Sequence, residues 1–261
     1  MHLKRVFKKI QNRIFHRVLG KMFFQGEDFY TKPSLKKFFI RNINQFVNEK
    51  GWQTPFIYTN EECLDFWKSI DNKSPSIGNR PENYAKKENT IVEFLHNFWT
   101  PEIEKANSIL EIGCNCGANL FILNRLGYIN LTGVEINPMA IKEMEKSFPR
   151  LKENINILIG DIGEILRKMK DGEADIIFTM GVCMHIHPTK NYIFEEIARV
   201  AKKYICTIEP ETANSNYVFA RNYRRVFEKL GCRQLKSVLV GRISSEGIRG
   251  NNDCIARLFK L

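Results

Sequence analysis

Ser108-Ile109-Leu110-Glu111-Ile112-Gly113-Cys114-Asn115-Cys116-Gly117-Ala118-Asn119-Leu120 is the stretch on which the reading of this chain turns. The run from Ile109 to Ile112 has the length and apolar content of a short buried strand. It meets a small-residue turn at Gly113, Asn115 and Gly117, and a helix-like segment follows. A strand that turns through glycines into a helix carries backbone N–H groups up to a bound ligand. Glycine spacing alone does not say which ligand, so the surroundings decide.

Working outward, residues 108–112, 130–136, 155–159, 174–180 and 204–208 read as short apolar strands. Helical patterns separate them at 117–125, 138–146, 162–169 and 189–201. Asn137-Pro138 has the form of an N-cap followed by proline in the first helical position. Short apolar strands alternating with helices predict an α/β fold with a parallel sheet covered on both faces. A further helix is expected at 218–230, stopped by Gly231, then strands at 234–240 and 253–259. The loop between these last two lacks a helical pattern, so they are expected to pair antiparallel. The architecture is therefore Rossmann-like: five parallel strands plus a terminal antiparallel pair, with a helical N-terminal extension.

The chain has 261 residues and a net charge of +11, unevenly spread. Residues 1–26 hold seven Lys/Arg and no acid, which leaves 33 basic against 29 acidic groups in the rest. Leu3, Val6, Phe7, Ile10, Ile14 and Val18 fall on one helix face of this segment. A basic amphipathic helix of that kind suits an anionic membrane surface; packing of the stripe onto the main domain is the other reading. Residues 27–104 form an irregular aromatic extension and candidate lid, with helices expected at 34–48, 61–69 and 85–98. The regular domain spans 105–261. No run approaches the roughly 20 apolar residues of a membrane span, and no secretory signal is evident. Seven cysteines, without a CxxC pair or zinc spacing, point to a reducing cytoplasm, with no metal expected. Peripheral membrane attachment through 1–26 is compatible with that location. Nothing in the sequence sets an oligomeric state.

Three acids fall at the carboxyl ends of the first three strands, the edge at which open α/β sheets bind ligands. Glu111 precedes the turn. Glu135 ends the second strand, 22 residues after Gly113, the distance at which a carboxylate accepts from ribose hydroxyls. Asp161 follows the third strand and is placed to meet an adenine amino group. The segments 110–117, Gly133-Val134-Glu135-Ile136-Asn137-Pro138, Gly160-Asp161-Ile162 and Asp175-Ile176-Ile177-Phe178 resemble, in order, the motifs of class I S-adenosylmethionine-dependent methyltransferases. The resemblance covers about residues 105–210. It implies that the glycine turn holds the methionine part of the cofactor, with Glu111, Gly113, Cys114, Asn115, Gly117 and Asn119 among the cofactor-binding residues. It likewise implies that Glu135 and Ile136 hold the ribose and Asp161 and Ile162 the adenine, with Met180 and Gly181 also at the cofactor. Asn115 stands where the family has glycine; asparagine is the side chain that best tolerates positive φ.

A looser likeness is to methylases of bacterial surface-sugar biosynthesis, the pseudaminic-type group. It rests on the turn asparagine, Thr179-Met180-Gly181-Val182 leading to His185-Ile186-His187-Pro188, and Ile208-Glu209-Pro210. It implies methyl transfer to a hydroxyl of a sugar, glycan precursor or other small molecule. His185 or His187 is then the candidate base for the hydroxyl proton. Tyr84, Glu209, Tyr217 and Arg221 are candidate acceptor contacts. A nicotinamide-binding reading fails on the missing second glycine and leaves Asp161 without a role. Nucleic acid is not expected as a partner, because the excess charge sits in 1–26 and neither an Asn-Pro-Pro-Tyr nor a Pro-Cys sequence occurs. Methyl transfer to RNA or protein, and a non-catalytic membrane-docked adaptor, are the alternatives.

Overall fold

The computed structural model describes residues 35–52, 57–75, 77–85, 90–212, 214–240, 242–244, 247–249 and 254–261. The expected basic helix of residues 1–26 lies outside them. The chain enters through α1 (Leu35–Glu49), α2 (Asn60–Ser69), a short α3 (Pro81–Ala85) and α4 (Thr90–Trp99). Helix α2 opens on a complete capping box between Thr59 and Glu62. The single helix expected over 85–98 is α4 alone, starting at Thr90.

From Ser108 the alternation is the expected one. It runs β1 (Ser108–Ile112), α5 (Ala118–Arg125), β2 (Asn130–Glu135), α6 (Pro138–Ser147), β3 (Ile155–Ile159), α7 (Ile162–Lys168) and β4 (Ala174–Met180). Then come α8 (Tyr192–Val200) and β5 (Ala201–Pro210). Asn137 caps α6 ahead of Pro138, its side chain accepting from Met139 N–H at 2.9 Å. Helix α8 begins three residues later than expected, because His187 caps a separate 3-10 turn, Pro188–Lys190.

The region after β5 departs most from the sequence expectation. Residues 218–219, expected in a helix, belong to a two-strand hairpin, β6 (Asn214–Ser215) with β7 (Val218–Phe219). Only Tyr223–Glu228 is helical (α9), started by Asn222, whose side chain accepts from Arg225 N–H. The chain closes with β8 (Arg233–Leu239), a small hairpin of β9 (Arg242–Ser244) and β10 (Gly247–Arg249), and β11 (Cys254–Lys260).

The seven-stranded sheet has the order β3-β2-β1-β4-β5-β11-β8. Strands β1 to β5 are parallel, and β11 runs antiparallel between β5 and β8. This is the Rossmann-like sheet with a terminal antiparallel pair. Alternate residues of each strand serve opposite layers. Ile109, Ile176 and Phe178 pack with Leu95, Phe98 and Trp99 of α4 and Leu120 and Leu123 of α5. Leu110, Ile112 and Ile177 pack with Leu166, Phe194, Ile197 and Phe227 of α7, α8 and α9. Burial on both faces explains the apolar run that opens β1. All seven cysteines are buried free thiols, several of them inside these layers.

Candidate functional site

Strand β1 ends at the fulcrum of the sheet, where the order runs to β2 on one side and β4 on the other. Ligands of open α/β sheets bind at such a switch point. Gly113 there has φ +72°, and a Cβ on it would stand 2.4 Å from a methyl of Val182. The turn reaches the loop after β4 only because this residue has no side chain. Asn115 has φ +50°, so the left-handed conformation expected at this position is present with an asparagine in it.

The turn is tied to the next strand. Gly113 and Cys114 both donate N–H to the carbonyl of Val134, at 2.8 and 3.0 Å. Glu135 accepts from Asn115 N–H on one oxygen and from Asn137 N–H on the other, each at 2.8 Å. Burial raises the Glu135 pKa, and these N–H contacts work against the rise. Each oxygen keeps acceptor capacity for a hydroxyl. Ile136 is the half-buried residue between these contacts. Cys114 and Cys116 are buried, and burial pushes both thiols up, Cys116 to about 12, so neither is a nucleophile at neutral pH.

Glu111 shares a sheet face with Ile109 and meets α5, where Asn119 donates its side-chain amide at 2.6 Å. Its second carboxyl oxygen is buried and, among the described residues, has no hydrogen-bond partner. Burial, with Glu135 nearby, pushes the carboxyl up to about 8. An orphaned buried acceptor costs on the order of 1–3 kcal/mol, and a ligand donor removes that cost. Asp161 caps α7, accepting from Glu164 N–H at 3.1 Å, with Ile162 as the first helical residue. Met180 has its sulfur 4.0 Å from the Asn119 amide. Beside it Gly181 (φ +65°) faces open space, with nothing within 4 Å of a Cβ built there. This donor set fits a ligand carrying an ammonium, a ribose and an adenine: a lone acceptor at Glu111, shared acceptors at Glu135, and room above Gly181.

The loop after β4 carries His185, and two buried residues hold that loop from beneath. Glu209 accepts from the Thr179 hydroxyl at 2.9 Å and from the N–H groups of Val182, Cys183 and Met184 at 3.0, 3.0 and 3.3 Å. Arg221 donates to the carbonyls of Cys183, Ile186 and Phe219 and to the Asn191 side chain. Both are fully buried. They were expected as acceptor contacts; instead they are a two-sided clamp on the loop, with no surface turned to a ligand. Burial moves Glu209 up to about 7 and Arg221 downward.

His185 places Nδ1 2.9 Å from the Tyr217 carbonyl. A carbonyl only accepts, so Nδ1 carries the proton and Nε2 the lone pair. Burial pushes the imidazole down to about 4, which keeps it neutral. His187 differs, because both its nitrogens are taken. Nε2 donates to the Tyr58 carbonyl at 3.0 Å, and Nδ1 accepts from Thr189. Its place is that of a cap and an anchor.

Residues 58–75 and 77–85 lie at the carboxyl edge as a roof. At one end Tyr58 N–H donates to the Asn216 carbonyl at 2.8 Å, beside the His187 contact. At the other, Asn137 donates to the Ile70 carbonyl at 2.6 Å and Asn72 to Glu143 at 3.0 Å. Tyr84 packs among Cys116, Ala118, Ile141 and Met144, and burial near Glu135 lifts its phenol to about 12. Between these ends, α2 brings Trp67 over His185, ring centres 4.3 Å apart, and Phe66 against Tyr217 at 4.9 Å. Sequence reasoning found Tyr84 and Tyr217 but passed over Tyr58, Phe66 and Trp67. The dense aromatic spacing of 57–67 was the available signal.

Comparison with known proteins bears on the fold and on the segment from β1 to β5. Residues 110–204 match the family described as a methyltransferase domain. An S-adenosylmethionine-dependent methyltransferase from Aquifex aeolicus shares the fold at 16% identity and TM-score 0.51, over 69% of this chain and 97% of that one. One from Archaeoglobus fulgidus does so at 17% identity and TM-score 0.53, over 69% and 97%. A geranyl diphosphate methyltransferase in complex with GPP and sinefungin aligns at 10% identity and TM-score 0.57, over 77% and 98%.

Proposed function

We propose that this protein is an enzyme that moves a methyl group from S-adenosylmethionine to a hydroxyl of a sugar, glycan precursor or other small molecule. The donor half is supported by the methyltransferase-domain match and by the Rossmann-like fold. S-adenosylmethionine is the cofactor, and Glu111, Glu135 and Asp161 are the residues that hold it, around the turn at Gly113–Gly117. When bound, it supplies a methyl carbon on a sulfonium sulfur that keeps the electron pair of the broken C–S bond.

The acceptor half rests on His185. Its Nδ1 is committed to the Tyr217 carbonyl, which leaves the Nε2 lone pair as the basic site in the loop that follows β4 and Gly181. Nε2 of His185 would take the proton of the acceptor hydroxyl and pass it to water, while the bound group would supply the methyl carbon to that oxygen. A protonated ether is a strong acid, so an imidazole held near 4 suffices to take that proton as the bond forms. Loop position comes from Glu209 and Arg221, and the alignment of the two reactants supplies much of the remaining rate. His187 is assigned an anchoring role, since neither of its nitrogens is free.

Methyl-labelled cofactor incubated with nucleotide sugars, lipid-linked sugars and total RNA tests this reading. Label in a saccharide fraction, dependent on His185, is the expected result. Label confined to RNA or to protein would replace the acceptor assignment while leaving the donor half intact.

A further inference from the structure

Two aromatic rings, Trp67 and Tyr217, lie against His185, and two more, Tyr58 and Phe66, lie against these. Tyr58, Phe66 and Trp67 come from the roof, and Tyr217 from the β6–β7 turn below it. Tyr58 and Tyr217 stack at 6.3 Å with planes 16° apart, and the His185 ring stacks on Tyr217 at 6.1 Å and 14°. The rings are only partly buried, Tyr58 keeping 38% of its surface exposed. In the midst of this cluster, Trp67 Nε1 is buried without a hydrogen-bond partner among the described residues. An indole N–H is a donor only, and left unpaired it carries the same cost as the orphaned oxygen of Glu111.

We propose that this cluster is the acceptor subsite, and that it takes an uncharged pyranose ring. The apolar C–H face of the ring lies on Phe66, Trp67 and Tyr217, Trp67 Nε1 donates to a ring hydroxyl, and the neighbouring hydroxyl meets Nε2 of His185. This rests on the reading of the protein as a methyltransferase acting on a hydroxyl, and it adds the residues and the ring chemistry.

Three observations point to this class. First, flat aromatic surface and one or two polar groups are what recognises a ring with an apolar face and a polar rim. Second, among the described residues no Lys or Arg stands over any of these four rings, and Glu209 and Arg221 are spent on the loop. Among the described residues, then, no cation is stacked on these rings to draw an anionic group onto them. Third, an amine acceptor arrives as an ammonium and must lose its proton before it attacks. The neutral His185, with its Nδ1 committed to Tyr217, is far too weak a base for that. A hydroxyl needs no such prior step.

Saturation-transfer NMR on the full chain with S-adenosylhomocysteine tests the proposal. The probes are methyl glycosides of glucose, galactose, mannose and fucose, set against catechol and choline. Calorimetry of S-adenosylhomocysteine itself runs in parallel on the wild type, Trp67→Phe and Trp67→Ala. At least one glycoside is expected to receive saturation at its ring C–H protons. Trp67→Phe, which keeps a ring and removes the N–H, is expected to weaken that binding at least threefold, and Trp67→Ala to abolish it. S-adenosylhomocysteine affinity stays within twofold throughout. Saturation of choline or catechol in place of the glycosides overturns the proposal, as does silence of every probe or a glycoside signal indifferent to both variants. Loss of S-adenosylhomocysteine binding by the wild type falls on the donor assignment and overturns both readings together.

Discussion

The backbone N–H of Asn115 donates to the carboxylate of Glu135 across 2.8 Å, so the turn after β1 and the acid after β2 are one unit. Asn115 can offer that N–H because its backbone is left-handed, at φ +50°. On the proposed reading, removing the carboxylate strikes the cofactor twice, through a lost contact and through a loosened turn. Glu135→Ala is expected to weaken S-adenosylmethionine binding at least about tenfold, roughly 1.4 kcal/mol. Asp161→Ala is expected to do the same from the adenine side. Isothermal titration measures both, and unchanged affinity in the pair would refute the placement of the cofactor.

His185→Gln removes the Nε2 lone pair and keeps the size of the side chain. The expected loss is about 10²- to 10⁴-fold in kcat, with cofactor affinity unchanged. The imidazole is the active form and its pKa lies near 4, so His185 itself adds no limb to the kcat profile between pH 8 and 5 and adds one only near 4. A limb near 6.5 in the rate profile would show an exposed histidine and contradict the burial seen here.

Glu111 and Glu209 titrate high in the folded protein, at about 8 and about 7, against 4.5 when free. Between 4.5 and those values the folded state holds protons that the unfolded state has given up. Stability is thus greatest below about 4.5 on account of these two groups and is lost as pH rises through 7 to 8. Thermal unfolding of the free protein is expected to show this decline, and Glu111→Gln to flatten it in part. Binding of a ligand ammonium near Glu111 is expected to release a proton at pH 7. Titrations in buffers of different ionisation enthalpy read that proton directly, and equal heats in all buffers would exclude it.

The clamp predicts a separation of stability from chemistry. Arg221→Met strips donors from three carbonyls and leaves them buried. A loss of at least about 2 kcal/mol in urea unfolding is expected. Glu209→Gln keeps one acceptor for the N–H groups of Val182 and Cys183 and loses the one that meets Met184 N–H, so the protein is expected to fold and to keep its cofactor affinity. The drop is in kcat, because the loop no longer fixes His185. An unaltered kcat in Glu209→Gln would show that the loop needs no such support.

Residues 1–26, with seven basic groups and no acid, predict binding to anionic vesicles. Full-length protein is expected to sediment with phosphatidylserine-containing liposomes and to be released by salt. Equal sedimentation by protein beginning at residue 27 would move the contact elsewhere.

The turn after β1 and the acids at the strand ends were legible in the sequence because they are local. Each acid stands at the end of its own strand, and strand ends can be read from hydrophobic period and caps. Asn115 and Asn137 were assigned their conformations from residue type alone, and both hold. The acceptor half was not legible in the same way. Glu209 and Arg221 were placed at the right edge of the sheet but given the wrong task, since burial depends on what packs above them. Trp67 reaches His185 across 118 positions of sequence, a distance no local pattern spans. The hairpin at 214–219 hid inside a segment whose composition also suits a helix.

The roof and the sheet edge divide the labour between two stretches of chain that inheritance can shuffle separately. On the proposed reading, the part matched by the methyltransferase-domain family, 110–204, holds the donor and carries the base. Residues 58–75 and 77–85, outside that match, lie at its carboxyl edge and are pinned at both ends by a handful of hydrogen bonds. Such an arrangement lets acceptor choice drift in one segment without disturbing the cofactor chemistry in the other. It also marks where an engineer would cut: exchanging the roof between relatives, with its anchor partners Asn137, Glu143 and His187 retained, is a route to new acceptors on an unchanged donor site.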